Sequence, residues 1–353
     1  MEDMKVYVVI FLISFIYAVM QILTKAAFDG GMSTFIYVFY RQLIGTLFVS
    51  PVALVLERNI APPLSFKVCF KIFLLTLVGL IVFLDTYSVG LDYTTTTSAA
   101  AMINSAPAVT FILAVLFRIE TIKIKKLQGI AKVSGIVLCL AGILTLAFFK
   151  GPQLKSFNHH HLFGHRASQT DRGHSKWALG ILLMTISTTA LSLGTVLQGF
   201  VLKEYPAKLA FTALQCLCGA IQSFFVALAF ERDFSRWKLG FNMNLLSVTY
   251  GGIMATGVTF YLQSWTIEKK GPVFLAMGSP LILIIQIICS YVLLGEIINL
   301  GSILSGVLMV GGLYGVLWGK KREENDRKKQ IRENEKACLE EKETAIPAQG
   351  VLV

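Results

Sequence analysis

Arg41 and Asp85 stand inside stretches that are otherwise close to continuous hydrocarbon. A charge at mid-membrane costs about 3 kcal/mol on insertion scales, so an ionisable residue in such a run marks an ion pair, a substrate contact or a proton site. Gln42 follows Arg41 directly, and Gln21, Lys25, Asn104 and Ser105 complete the polar set of the N-terminal half. The C-terminal half contributes Gln198, Gln215, Gln222, Gln263 and Gln286. A guanidinium offers a planar fork of donors to a carboxylate. An Asn or Gln amide offers both a donor and an acceptor. An Asp takes an amine or a proton. Such a set could line a transport pathway, with Arg41, Gln42, Asp85, Asn104, Gln21, Gln198, Gln215 and Gln286 as candidate substrate-binding residues. The same residues support a plainer reading. Arg41 and Asp85 lie at depths that differ by about 5 Å at helical rise and would pair as structural glue. Amide side chains join helices, and Lys25 reaches water at a span end.

The elements that must position these groups are apolar helices. The stretch Thr94–Phe117 begins with hydroxyl and methyl side chains, carries Asn104 and Ser105 at mid-depth, and ends as hydrocarbon. Pro107 removes a backbone donor and frees the carbonyl four residues earlier. Such a carbonyl is tolerated at membrane depth where it faces protein or a water-filled cavity. Pro107 and, later, Pro280 are thus candidate helix kinks, and the Thr94–Phe117 stretch is a candidate wall of a substrate pathway.

The whole chain of 353 residues is 55% hydrophobic and only 15% charged, against about 25% charged in a soluble domain. Its apolar residues fall in long runs: roughly Val6–Ala27, Thr34–Leu56, Val68–Val89, Thr97–Phe117, Gln128–Phe149, Trp177–Val201, Lys208–Phe230, Leu245–Trp265, Pro272–Leu294 and Leu300–Trp318. Each is long enough to cross a bilayer. The expected fold class is an all-α polytopic membrane protein of ten transmembrane helices. The net charge of +11 does not indicate nucleic acid, because the basic residues cluster in short loops and the tail. Arg58, Lys67, Lys71, Arg118, Lys123, Lys125 and Lys126 follow spans two and four, whereas the loops after spans one and three hold no Lys or Arg. That asymmetry predicts both termini in the cytosol. The loops holding Arg166, Arg172, Arg232 and Arg236 run against it.

The two halves resemble each other. Glu57 and Glu231 end spans two and seven at a spacing of 174 residues, and Pro107 and Pro280 stand 173 apart. Ser134-Gly135 and Ser305-Gly306 stand 171 apart. Five spans per repeat is an odd number, so the second repeat inserts upside down, the arrangement of secondary transporters with a site near the midplane. The expected organisation is a first five-helix repeat over 1–149, an extracytosolic linker over 150–176, a second repeat over 177–319 and a disordered charged cytosolic tail over 320–353. The linker holds His159, His160, His161, His165 and His174 at a spacing that matches no defined metal site, so it reads as a flexible connection. The six Cys form no secreted disulfide framework, and those in spans read as small hydrophobes. Neither a phosphate loop nor a hydrolase elbow is present, so no catalytic residue, metal or cofactor is expected. The glycines of span ten, Gly301, Gly306, Gly311 and Gly312, argue for close helix contact, within the chain or in a homodimer.

Lys25-Ala26-Ala27, Tyr40-Arg41-Gln42 and Leu56-Glu57-Arg58 resemble the opening of the plant nodulin-like, walls-are-thin-related transporters. Ala101-Met102-Ile103-Asn104 with Pro107-Ala108-Val109-Thr110 resembles that family's fourth span, and Gly311-Gly312-Leu313-Tyr314 with Leu317-Trp318-Gly319-Lys320 resembles its last. The resemblance covers Lys5 to Lys321; the His-rich loop is longer than the family pattern, and the Thr94–Thr97 run departs from it. It implies two EamA-like halves of the drug/metabolite transporter superfamily, in the plasma membrane or tonoplast. It also implies export of small metabolites, amino acids first and auxin or a related aromatic acid second. A membrane sensor that binds a metabolite without moving it is the rival from another class.

Overall fold

The computed structural model describes residues 2–57, 62–93, 102–120, 126–149, 174–240, 242–289 and 300–344, all of them helix, turn or short connection. Eight described helices are long and apolar enough to cross a bilayer, and the apolar helix Met102–Leu116 is shorter. The chain opens with α1 (Glu2–Asp29) and α2 (Thr34–Leu56). The third span is composite: α3 (Phe66–Thr76) widens into a π-helical stretch, Leu77–Val82, and continues as α4 (Phe83–Tyr93). Then come α5 (Ala106–Leu116) and α6 (Leu127–Phe148). The second half begins with α7 (His174–Glu204) and α8 (Lys208–Phe230). Its third span repeats the composite plan, with α9 (Met243–Tyr250), a π-helical stretch at Gly251–Val258 and α10 (Thr259–Lys270). The ninth span is two pieces, α11 (Pro272–Ala276) and α12 (Ser279–Cys289), and α13 (Leu300–Thr344) closes the chain.

The two halves run in opposite directions. Phe35 at the start of α2 stacks on Phe230 at the end of α8, with ring centroids 4.8 Å apart. At the other end, Glu57 just past α2 meets the backbone of Leu209 and Ala210 at the start of α8. These equivalent helices are therefore antiparallel. So are α6 and α13. A Cβ added at Gly135 would lie 2.6 Å from the Gly312 carbonyl, one at Gly142 would lie 2.9 Å from that of Ser305, and one at Gly319 would lie 2.7 Å from that of Gln128. A seven-residue step along each helix keeps small residues on one seam, and the backbones touch. The face where α1 starts and α13 leaves the bundle is the near face; the opposite one is the far face.

Both halves also break at the same place. Ser105 and Ser279 each donate from Oγ to a carbonyl three residues back, Met102 (2.6 Å) and Ala276 (2.7 Å). The helix loses its regular ladder just ahead of Pro107 and Pro280, since proline supplies no N–H. Pro107 consequently sits in the first turn of α5 rather than mid-helix. The eight residues 94–101, on which the small-residue start of this span falls, lie outside the described residues, as do 150–173 with most of the His-rich linker.

The outer surface is apolar where lipid would lie: Leu54, Val55, Phe225 and Val307 are exposed. Cores form between spans, one from Ile72, Leu75, Leu202, Phe211 and Ile267, another from Phe111, Ile136, Val196, Met277 and Val316.

The charged tail, expected to be disordered, is helical over its described residues: α13 continues without a break to Thr344. Low hydrophobicity prevents a packed core, but a helix already formed in the bundle removes the nucleation cost. The run beyond Lys320 is rich in Glu, Lys and Arg, good helix formers. Glu323 with Arg327 and Glu324 with Lys328 fall at the supportive i,i+4 spacing.

Candidate substrate site

The midpoints of α2 and α8 are Gly45 and Gly219, which are 174 residues apart and equivalent in the repeat. Small residues there bring neighbouring helices close. A Cβ at Gly219 would lie 3.3 Å from the Gln42 side-chain amide carbon and 3.1 Å from Leu80 of the first π stretch. A Cβ at Gly251, in the second π stretch, would lie 3.2 Å from the aliphatic stem of Arg41 and 2.8 Å from the Tyr37 hydroxyl. A π turn widens the helix and exposes backbone, and such turns concentrate at functional sites. Arg41 and Gln42 thus lie where α2 meets α8 and the π stretches of both composite spans.

Arg41 is 8% exposed. Its Nη1 contacts Met20 Sδ at 3.7 Å, and its guanidinium carbon lies 6.0 Å from the Tyr37 ring centroid. Its Nε is buried with no hydrogen-bond partner. Tyr17 of α1 and Cys216 of α8 are close enough to feel its charge. Gln263 of α10 donates to the Tyr17 hydroxyl at 3.0 Å. Gln42 is 0% exposed, and neither its amide nitrogen nor its oxygen is hydrogen-bonded. An unpaired buried amide costs on the order of 1–3 kcal/mol, and an uncompensated buried cation costs more. The natural complement of the guanidinium is a carboxylate, and that of the amide a group with both donor and acceptor atoms.

Arg41 and Gln42 are consecutive on α2 and lie against Gly251 and Gly219 respectively. Asp85 is half-buried on α4, three residues past the π stretch, and no ion pair links it to Arg41. Similar depth does not by itself bring the two charges together: Arg41 packs against Gly251, Tyr37 and Met20. Gln198 donates to Ser264 at 3.0 Å and so ties α7 to α10. Gln215, the repeat equivalent of Arg41, is half-buried with its amide oxygen unpartnered. Gln222 donates to the Phe73 carbonyl at 2.9 Å. Gln21 is exposed on α1. Asn104 is half-buried at the break ahead of α5, where α7 bonds to the backbone on either side of the break: Thr188 donates to the Met102 carbonyl at 3.1 Å and Ser192 to the Ala106 carbonyl at 3.2 Å. Pro280 and Gln286 fall on α12, and Lys25 on α1, but their side chains lie outside the described set.

A charged group missing from the sequence reading is Lys132, inside α6 near the near face. Its side chain is 3% exposed. It pairs with Glu323 and, at 3.3 Å, with Glu120. Lys320 bonds Glu120 at 2.5 Å and the Lys270 carbonyl at 2.8 Å, and Lys270 bonds Glu324 at 2.6 Å. Burial pushes the Glu120 carboxyl up, but Lys320 and Lys132 outweigh it and hold the group below its ordinary range. A lysine within an apolar run, with Glu120 just before that run and Glu323 just after the last, was the available signal.

The EamA-like transporter family model matches residues 4–148 and again residues 178–318. WAT1-related protein At5g64700 of Arabidopsis thaliana is 48% identical over 353 residues, covering 97% of this chain and 98% of its own. WAT1-related protein At1g43650 of the same plant is 42% identical over 341 residues, with 97% and 98% coverage. A solved crystal structure superposes with a TM-score of 0.68 at 16% identity, covering 91% of this chain and 99% of that one, which speaks to the fold alone. With two matches that divide the chain as its antiparallel halves do, this chain belongs to the EamA-like transporter family, among its walls-are-thin-related membrane transporters of the drug/metabolite type.

Proposed function

We propose that the protein exports small carboxylate-bearing metabolites, amino acids first, by alternating access, with Arg41 as the carboxylate anchor and Gln42 as its neighbouring amide. The observation that carries this reading is a buried guanidinium with an unpartnered Nε beside a fully buried, unpartnered amide, both next to π-helical turns. A carboxylate satisfies the first and completes the second at once. Asp85, unpaired with Arg41, is left free to take a substrate amine or a proton. Auxin or a related aromatic acid is the second reading, favoured by the Tyr37 ring beside Arg41 and by Tyr17 close by. Both termini lie in the cytosol on this reading, in a plasma membrane or tonoplast protein.

The test is flux in proteoliposomes, with labelled amino acids and labelled indole acids in competition. Arg41→Gln is expected to lower flux at least about ten-fold, the loss of one charge-assisted contact, with folding intact by size-exclusion profile. Arg41→Lys keeps the charge but not the fork and should recover only part. Normal flux per folded molecule in Arg41→Gln would sink the anchor role. Saturable binding with no flux under an imposed gradient would favour a sensor.

A further inference from the structure

The repeated Glu57 and Glu231 have no part in the substrate site, and the structure treats them differently. On the near face, the Glu57 carboxylate accepts from Leu209 N at 3.2 Å and from Ala210 N at 2.8 Å. It caps the first turn of α8, where four amides lack helical partners and the helix dipole favours negative charge. The repeat equivalents of those amides, 174 residues earlier, belong to Phe35 and Ile36 in the first turn of α2. Symmetry would place Glu231 on them. Instead the Glu231 carboxylate accepts from Arg236 Nη1 at 3.3 Å, and Ser33, at the cap position of α2, makes no side-chain capping bond.

The difference lies in one backbone angle. Glu57 has φ −110° and ψ 3°; Glu231 has φ −113° and ψ 91°. The far-face helix ends are already in contact, since Phe35 stacks on Phe230. Glu231 therefore needs to re-aim rather than travel. What holds it back is one ion pair, with the Arg236 side chain 58% exposed and that of Glu231 15%, and a long bond of 3.5 Å from Trp237 Nε1 to the Glu231 carbonyl; an ion pair open to water on one side contributes little.

We propose that Glu57 and Glu231 are reciprocal gate carboxylates. In this conformation Glu57 is docked on α8 and Glu231 is held off by Arg236. In the oppositely facing conformation Glu231 caps α2 at Phe35 and Ile36, and Glu57 releases Leu209 and Ala210. In an inverted repeat the two access states are related by exchanging the conformations of the halves, so the unequal treatment of two equivalent residues records which state is present. Because one cap forms as the other breaks, the interconversion is close to balanced. This inference rests on the alternating-access reading.

The experiment is peptide-level hydrogen exchange on the full chain in nanodiscs, paired with flux in proteoliposomes. Glu57→Gln is expected to speed exchange at Leu209 and Ala210 and to slow it at Phe35 and Ile36. Arg236→Ala, which removes the side-chain partner of Glu231, should move both helix starts in the same directions. Glu231→Gln should leave the α8 start protected and slow flux about five-fold, the population change that one lost cap produces. If Glu231→Gln and Arg236→Ala leave exchange at both helix starts and flux unchanged, the reciprocal gate is overturned. So it is if Glu57→Gln loosens α8 without tightening α2. Wild-type flux without reciprocity overturns the gate and leaves transport standing. Reciprocity without wild-type flux supports the exchange and overturns transport.

Discussion

Lys132 shows how far a buried charge depends on its partners. Its ammonium is surrounded by Glu120 and Glu323, and Glu120 is shared with Lys320. Removing one partner leaves an uncompensated buried charge, which costs about 3–5 kcal/mol. Glu120→Gln should therefore lower the thermal midpoint in detergent more than loss of the exposed Lys71–Glu204 pair, whose worth is about 0–1 kcal/mol. The pH dependence has a definite sign. The Glu120 carboxyl is held below its ordinary range in the folded protein, so its contribution is present above the unfolded carboxylate range and is lost as pH falls through the folded value. Melting followed from pH 7 downward should show that loss in the wild type and a flatter profile in Glu120→Gln. Equal slopes in the two would show that the cluster does not carry it.

At the scale of elements, the seam between α6 and α13 is set by absent side chains. A Cβ at Gly135 would also lie 2.8 Å from the Val316 backbone nitrogen, so neither neighbour can move aside as a flexible tip would. Overpacking of this kind costs typically 1–3 kcal/mol. Gly135→Leu should separate the helices and lower the yield of folded protein. Gly306→Ala should be tolerated, because the nearest atom to a Cβ there is Ile284 at 3.9 Å. Expression followed by fluorescence size-exclusion compares the two variants, and an equal loss in both would refute the seam.

For the whole molecule, the near face carries the start of α1, the Glu57 cap, the Lys132 cluster and the exit of α13. On the proposed topology, in which the charge asymmetry of the first-half loops sets the orientation, that face is the cytosolic one. An impermeant thiol reagent on intact cells should label a single cysteine in the linker 150–173 and label one near Thr344 only after permeabilisation. The reverse pattern would invert the assignment. The helix beyond Lys320 should also survive: at about 1.5 Å per residue its 24 residues to Thr344 reach roughly 36 Å from the bundle. Rapid exchange at every amide from Glu323 to Thr344 would contradict it.

The sequence alone determined the membrane class, nearly all the span positions and the antiparallel repeat, because each follows from composition, run length or fixed spacing along one chain; the family was legible only through the resemblance of short motifs such as Tyr40-Arg41-Gln42. Lys208–Phe230 and Thr34–Leu56 were legible to the residue, since their ends are marked by Glu57, Glu231 and turn residues. Arg41 and Gln42 were legible as polar groups in hydrocarbon. What they face was not, because that depends on helix rotation. A pairing of Arg41 with Asp85 is plausible from depth alone, and only the packed structure turns them to different neighbours and seats Arg41 on Gly251 beside Tyr37 and Met20. The π stretches at Leu77–Val82 and Gly251–Val258 carry no residue signature of their own; they arise where two helices must pass at a glycine contact, such as Gly79 against Gly194 at 2.7 Å from an added Cβ. The unequal settings of Glu57 and Glu231 were the least legible of all, since equivalent residues at equivalent positions differ only in ψ. Local pattern fixes what a residue is and how deep it lies. Which way it points, and which of two related conformations it adopts, is decided by contacts between segments distant in the chain.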